Sequence, residues 1–418
     1  MKSLLATVSG RKDCSSSAGA NSSLDASLSP RSNRKKILFV TNTFEFGGAE
    51  KHLLELVRRL IAPELELIIL CLKTDFYSEH LDRDHCSQVL VVRWDKQLNS
   101  FWDWHAAFRE LRPDVVFFVW AYLWCFEWYV PVAAWLAGIP KRISIAQLTP
   151  PPPDACPDNK RAAKLFDKGR HAYRLLKRQV SGHFNSTIIS VSNGVRDALI
   201  RNYHFPASKT ITVHNGVGSP DLQKCQNDGT AVRDKLGIGR DEFLLVCVAR
   251  LSEQKRIDIL LRALAKQMRD GVPCKCVIVG DGPLRDGLSQ QALELGLTGR
   301  VFFEGFQQET QSYLQASNAF ILSSDREGLP IAMLEAMSFG LPCIVTNVGG
   351  NAEAITDRVH GMVVPAGSPD DLATAISYLI AHPRELAEMS KAARARAQQK
   401  FNIEDRMAEI KNIILSEV

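Results

Sequence analysis

The chain is expected to be an α/β protein built as two tandem doubly wound parallel-sheet domains facing a cleft. Three observations predict it. From Lys36 onward, short runs of β-branched and aliphatic residues alternate with stretches of helical period, the order of repeated strand–helix–strand units. A polar, turn-rich stretch from Ser219 to Gly239 interrupts the alternation, which restarts at Phe243, so there are two such units. Several of the expected strands end in glycine-containing turns, and open α/β sheets bind ligands beyond the carboxyl ends of their strands. With 418 residues, 45% apolar and 23% charged, the chain is long enough for each unit to bury its own core.

Taken in order, residues 1–34 are rich in Ser, Ala and Asn, show no apolar period and lead into the basic cluster Arg31, Arg34, Lys35 and Lys36. Too little apolar surface is available there to offset the entropy of ordering, and a disordered tail is expected. The first domain, 35–217, should place strands at Ile37–Thr41, Leu65–Cys71, Val89–Val92, Val115–Val119, Arg142–Ala146, Thr187–Val191 and Thr210–Val213. The second, 218–395, should place them at Phe243–Ala249, Cys276–Val279, Val301–Phe303, Ala319–Leu322, Cys343–Val345 and Gly361–Val364. Residues 396–418 are expected to form C-terminal helices that pack back on the first domain. One helix carries the most informative spacing. Pro330 suits a first helical turn and Gly340-Leu341-Pro342 supplies a stop, so a helix is predicted from Leu329 to Phe339.

Composition limits the partners. A net charge of +5 does not imply extended nucleic-acid binding. The ten cysteines show no disulfide framework, and Cys274-Lys275-Cys276 has one residue between its thiols where zinc ribbons need two, so they are expected to be reduced and mostly buried. Leu4 to Val8 is too short for the apolar core of a signal sequence, which points to a cytoplasmic protein. The apolar run Val115 to Ile139 has the length of a membrane span, but Glu127 and Pro131 interrupt it, and a buried strand followed by a crossover helix accounts for the same residues. Between Lys160 and Arg178 eight cations stand against Asp167 and are interleaved with Leu165, Phe166, Tyr173, Leu175 and Leu176. Such a stretch is either a solvated helix face or a basic amphipathic helix that lies on an anionic membrane surface, which would make the protein peripheral at the inner face of the membrane.

The residues that can carry chemistry cluster at strand ends. Glu327 and Glu335 are eight positions apart, one in a loop and the other inside the following helix, roughly 8 Å along its axis at about 1.5 Å per residue. They are unsuited to converging on one atom and better suited to gripping two ends of a long ligand. Its phosphates would meet the N–H groups of Gly328 and Leu329 at the helix start, and the carboxylates would accept from hydroxyls. Standing alone, the segment reads equally as a capped helix with solvated acids. Arg250 and Lys255 follow the first strand of the second domain and can neutralise a diphosphate, or be a solvated helix start. The Gly280-Asp281-Gly282 turn permits close backbone approach, and Gly47-Gly48 stand at a strand-to-helix turn; neither has the spacing of a nicotinamide-dinucleotide fingerprint.

The order Gly47-Gly48-Ala49-Glu50, His214-Asn215-Gly216-Val217, Arg250 with Lys255, Gly280-Asp281-Gly282, Gly305, the spaced glutamates and Val348-Gly349-Gly350-Asn351-Ala352-Glu353 resembles glycosyltransferase family 4, the retaining nucleotide-sugar transferases of the two-Rossmann GT-B fold. The resemblance spans residues from about 36 to 410 and is more specific in the second half. It implies a transferase moving a sugar from a nucleoside diphosphate donor, a UDP-sugar, to a glycan or lipid-linked acceptor, with no metal and no other cofactor. It implies that Arg250 and Lys255 hold the diphosphate and stabilise the leaving charge, that Glu335 binds the ribose hydroxyls, and that Glu327 orients the sugar. By the same resemblance Gly47 and Gly48 approach the phosphates, with Gly282, Gly328 and Leu329 also on the donor. The family commonly carries histidines after the strands matched by Val115–Trp120 and by the strand ending near Ala146. Here Trp120-Ala121-Tyr122 and Gln147-Leu148-Thr149 stand instead, which makes Tyr122, Gln147 and Thr149 the candidates for sugar or acceptor contacts. A nucleotide-sugar epimerase of the same fold would need acid and base groups converging on one carbon, which the spread glutamates do not offer. A membrane-associated glycan-binding scaffold without turnover is the non-enzymatic alternative.

Overall fold

The computed structural model describes residues 34–41, 47–71, 81, 89–93, 98, 100–120, 128–150 and 167–417. The expected tail, Tyr122 and the first part of the basic stretch at 160–166 lie outside these residues. The chain divides into two compact units, one taking the described residues of 1–145, 163–188 and 414–418, the other those of 146–162 and 189–413.

The first half of the chain runs β1 (Lys35–Thr41), α1 (Gly48–Leu60), β2 (Leu65–Cys71), β3 (Val89–Arg93), α2 (Phe101–Leu111), β4 (Val115–Trp120), α3 (Val130–Leu136), β5 (Lys141–Ala146), α4 (Asp167–Phe184), β6 (Thr187–Ser190), α5 (Asn193–Tyr203) and β7 (Thr210–Thr212). Its sheet has the order β3-β2-β1-β4-β5-β6-β7, with β1 parallel to both β2 and β4. Ile37, Leu38, Phe39 and Val40 of this central strand are wholly buried, because helices cover both faces, and that is why the strand reads as an unbroken apolar run rather than an alternation. Trp104 and Phe108 of α2 fill the core over Leu38, Ile68 and Phe118. α2 starts where it does because Ser100 and Asp103 form a reciprocal capping box, Ser100 Oγ accepting from Asp103 N and Asp103 Oδ2 accepting from Ser100 N at 2.9 Å.

The second half runs α6 (Leu222–Lys235), β8 (Phe243–Val248), a 3-10 turn (Glu253–Lys255), α7 (Ile257–Arg269), β9 (Cys274–Val279), α8 (Arg285–Glu294), β10 (Val301–Gly305), α9 (Gln311–Ala316), β11 (Ala319–Leu322), α10 (Ile331–Ser338), β12 (Cys343–Thr346), α11 (Asn351–Ala354), β13 (Gly361–Val364), α12 (Pro369–Ala381), α13 (Pro383–Lys400) and α14 (Ile403–Leu415). The sheet order is β10-β9-β8-β11-β12-β13 and each neighbouring pair is parallel. Strand succession moves outward from β8 through β9 to β10, then restarts on the other side at β11. The reversal falls between β8 and β11, which places the loops after these two strands side by side at the sheet's carboxyl end.

The expected α/β class and the parallel sheets are observed, and every expected strand is present to within a few residues. Two local readings are corrected. The stretch Ser219–Gly239, read as turn-rich, contains α6. Its polar sequence has little helical drive of its own, and a packing partner supplies it: α9 lies so close that a Cβ at Gly229 would meet Gln315 Cγ at 2.9 Å, and Arg233 Nη1 donates to Ala316 O at 2.6 Å. The helix predicted to begin at Leu329 begins at Ile331, with Pro330 as N-cap at ψ 122°. Pro330 itself is extended there, so the helix starts beyond it. Cys71, Cys247, Cys274, Cys276 and Cys343 are buried and in no disulfide, as expected, and no described helix is long and apolar enough to cross a membrane.

Glu353 on α11 ties α5 down. Its carboxylate accepts from Asn193 N at 2.9 Å and Gly194 N at 2.6 Å, and His214 Nε2 lies 3.1 Å from Oε2. Burial pushes this carboxyl up, but the bonds from His214, Asn193 and Gly194 outweigh it and hold the group below its ordinary value. A carboxyl depressed in the folded state stabilises the fold fully above its unfolded value and loses that contribution as pH falls through the folded value. Glu353→Gln is therefore expected to lower Tm at neutral pH. The gap from wild type should close as the pH is brought below about 4 in thermal melts, and a gap independent of pH would show that the charge does not contribute.

Candidate active site

The site residues of the second half assemble at the β8–β11 reversal. β8 ends at Val248, and Arg250 is exposed just beyond it. Lys255 closes the 3-10 turn, and Arg256 takes the left-handed conformation, φ 48°. That conformation is unfavourable for a side-chain-bearing residue, and it is held by the guanidinium, which donates to both Asp325 oxygens at 3.2 and 2.9 Å and to Asp258 at 3.0 and 3.1 Å. These bonds to Asp258 and Asp325 raise the Arg256 pKa above its ordinary value. The β8 and β11 loops are fastened further by the backbone: Asp325 N donates to Gln254 O at 2.9 Å, Gln254 Nε2 to Arg326 O at 2.7 Å, and Ser323 Oγ to Lys255 O at 3.0 Å.

This clasp sets the chemistry in its middle. Glu327 is 4% exposed, and its Oε1 accepts from Lys255 Nζ at 2.5 Å and from Ser324 Oγ at 2.6 Å. A carboxylate so little exposed needs both a counter-charge and hydrogen bonds, and it has them on the same oxygen. Beneath the pair, Cys247 on β8 is fully buried; desolvation pushes its thiol up to about 12, with Lys255 opposing and Glu327 reinforcing the shift, which leaves it protonated and unreactive at neutral pH.

The backbone around Glu327 is as closely held as its side chain. Glu327 O accepts from Thr149 N at 3.2 Å and from Thr149 Oγ1, and Leu148 makes an isolated antiparallel bridge with Gly328. Gly350 N donates to Gly328 O at 2.6 Å, and Asn215 Nδ2 donates to Leu329 O at 2.7 Å. The approach leaves no room for side chains: a Cβ at Gly328 would lie 2.1 Å from Gln147 O, and one at Gly349 would lie 2.0 Å from Glu327 O. Three chain segments therefore converge on residues 327–329 and deliver them to the start of α10. Glu335 follows one turn inside that helix, half-buried, its carbonyl accepting from Ser338 Oγ and Phe339 N. On the adjoining strand end, Gly282 packs against Leu251, and Asp281 is held by Gly282 N at 2.7 Å and Arg285 Nη1 at 2.7 Å.

The structure thus brings Lys255, Glu327, Gly328 and Leu329 together, with Arg250 and Gly282 on the neighbouring strand ends and Thr149 bound to the Glu327 backbone. The Thr149 hydroxyl is engaged by a carbonyl, and Gln147 has a buried Nε2 with no hydrogen-bond partner among the described residues. Gly47 and Gly48 belong to the other unit, where Gly47 is the extended N-cap of α1, φ −155°. Two contributors escaped sequence reasoning: Ser324, and Thr346 behind it, whose Oγ1 donates to Ser324 O. The one available signal was that Ser323-Ser324 puts two hydroxyls directly after an apolar strand, where side chains are expected to be buried.

Comparison with known proteins gives a consistent result. The family model described as Glycosyl transferases group 1 matches residues 228–396, and the one described as Glycosyltransferase Family 4 matches residues 46–218. The chain is 30% identical over 235 residues to UDP-Gal:alpha-D-GlcNAc-diphosphoundecaprenol alpha-1,3-galactosyltransferase of Escherichia coli, covering 55% of this chain and 60% of that protein. It is 28% identical over 226 residues to N-acetyl-alpha-D-glucosaminyl L-malate synthase of Bacillus anthracis, covering 53% and 58%. The match thus spans less than two thirds of either relative. Anabaena HepE, solved in complex with UDP and glucose, shares the fold, with a TM-score of 0.74 at 21% identity over 92% of this chain and 100% of that one.

The Lys255–Glu327 pair has a measurable consequence for stability. Lys255→Met should leave a carboxylate that is 4% exposed without its counter-charge and destabilise the protein by about 3 kcal/mol in urea unfolding, the low end for a broken buried pair because the lysine keeps some contact with water. The double variant Lys255→Met/Glu327→Gln should recover part of that loss, and no recovery would mean that the pair is not the source of it.

Proposed function

The chain belongs to glycosyltransferase family 4, and from that premise we propose that it is a retaining, metal-independent transferase that moves a hexose from a UDP-sugar to a glycan or lipid-linked acceptor. The observation that carries this reading is the Glu327 carboxylate, buried at the topological switch point and held by Lys255 and Ser324 directly before the start of a helix. A carboxylate there accepts from sugar hydroxyls. Lys255 and Arg250 offer cations to a diphosphate, and the N–H groups of Gly328 and Leu329, in the loop ahead of α10, complete its surroundings. As the glycosidic bond breaks, charge develops on the leaving diphosphate, and cations already in position lower the barrier without a bound metal. Glu335, farther along α10, binds the ribose hydroxyls.

The choice of UDP is supported by the UDP in HepE and by the UDP-galactose donor in the name of the E. coli relative, and the lipid-linked acceptor by the diphosphoundecaprenol in that same name. Residues 160–178 would hold the enzyme at an anionic membrane, and in the described part of that stretch Leu176 is 56% exposed. Charge reversal at Lys160, Lys164 and Lys168 should abolish sedimentation with vesicles containing anionic lipid. Undiminished sedimentation would remove the membrane from the reading.

The decisive test of the activity is thermal stability with UDP, GDP, ADP and NAD in turn, with and without EDTA. A ligand at about 100 times its Kd stabilises by roughly 2.7 kcal/mol. UDP alone is expected to raise Tm, EDTA to leave the rise unchanged, and Glu335→Ala to diminish it. A rise that EDTA removes would overturn metal independence, and no rise with any nucleotide would favour the inactive scaffold.

A further inference from the structure

The Glu327 carboxylate is held by two donors of different kinds. Lys255 Nζ and Ser324 Oγ both bind Oε1, at 2.5 and 2.6 Å, which uses the acceptor capacity of that oxygen, while Oε2 receives no hydrogen bond from the described residues. The lysine carries its charge on a flexible stem, with its side chain 19% exposed, and any diphosphate bound beside it competes with Glu327 for its protons. Ser324 differs in each respect. It is neutral and fully buried, and its own position is fixed from behind: Thr346 Oγ1 donates to Ser324 O at 2.6 Å, and Asn351 Nδ2 donates to Thr346 O at 3.0 Å. The chain of bonds Asn351–Thr346–Ser324–Glu327 runs from β12 and the start of α11 to the carboxylate without using a charged group.

We infer that Ser324 is a positioning residue for sugar transfer: its hydroxyl keeps Oε1 of Glu327 anchored when a diphosphate draws Lys255 away, so that Oε2 stays aimed at the hydroxyls of the donor sugar. This rests on the glycosyltransferase reading above. Ser324 is assigned no contact with substrate; it acts through Glu327. The Thr346 bond goes to the Ser324 backbone, so Ser324→Ala removes the bond to Glu327 and keeps the loop's own tether.

Calorimetric titration with UDP, UDP-glucose and UDP-galactose tests the inference. Ser324→Ala should weaken the sugar nucleotide that wild type binds by about tenfold or more, the size of one hydrogen bond to a charged group, and leave UDP affinity unchanged. Ser324→Thr, which keeps the hydroxyl, should restore it. In a Glu327→Gln background, adding Ser324→Ala should change sugar-nucleotide affinity no further, because the two residues act as a unit. Equal weakening of UDP and UDP-sugar, or a full additional loss in the Glu327→Gln background, would assign Ser324 a general structural role and overturn the inference. Wild-type protein that binds neither UDP nor either UDP-sugar would sink the functional reading itself, whereas sugar-nucleotide binding that survives Ser324→Ala intact would sink only the role of Ser324.

Discussion

A carboxylate removed from water must be compensated, and the second half of this protein is arranged around that requirement at Glu327. The group is buried at the reversal of a parallel sheet, where the loops after β8 and β11 meet. Its counter-charge, Lys255, comes from the β8 loop, and its neutral donor, Ser324, from the β11 loop, so neither loop alone satisfies it. The surrounding bonds follow the same logic. The Arg256–Asp325 pair, the Gln254 contacts with residues 325 and 326 and the Ser323 hydroxyl bind one loop to the other and hold both donors at the distance the carboxylate needs.

The same constraint explains the glycines nearby. Residues 147–149 and 348–350 close on Glu327 and Gly328 from two sides, with carbonyl oxygens about 2 Å from where a Cβ would stand at Gly328 or Gly349. That proximity lets Thr149, Gly350 and Asn215 satisfy the carbonyls of residues 327–329. With those carbonyls engaged, residues 327–329 are held in place ahead of α10 beside the Glu327 carboxylate. Rigidity at such a point favours a site that is complementary to developing charge before the ligand arrives.

Much of this was legible in the chain. Parallel strands buried on both faces appear as short aliphatic runs, and so β1, β8 and β11 were visible without structural information. Glu327 and Glu335 stood out by their spacing across a loop and the helix that follows it, and Lys255 by its place after the first strand of the second half. What escaped notice had no comparable local signal. Helix α6 is polar and depends on α9 for its stability, and Pro330 reads as a first-turn residue although it stands extended just ahead of α10.

By itself the sequence determined the α/β class, the succession of strands and the residue types available at each strand end, because periodicity and turn chemistry are properties of neighbouring residues. Only the tertiary structure decided that Lys255 and Ser324 share one oxygen of Glu327, that Thr149 bonds to the backbone of a residue 178 positions away, and that Thr346 and Asn351 stand behind Ser324. Those pairings depend on which strands become neighbours at the sheet reversal, a property of the whole packed sheet that no short stretch of the chain contains.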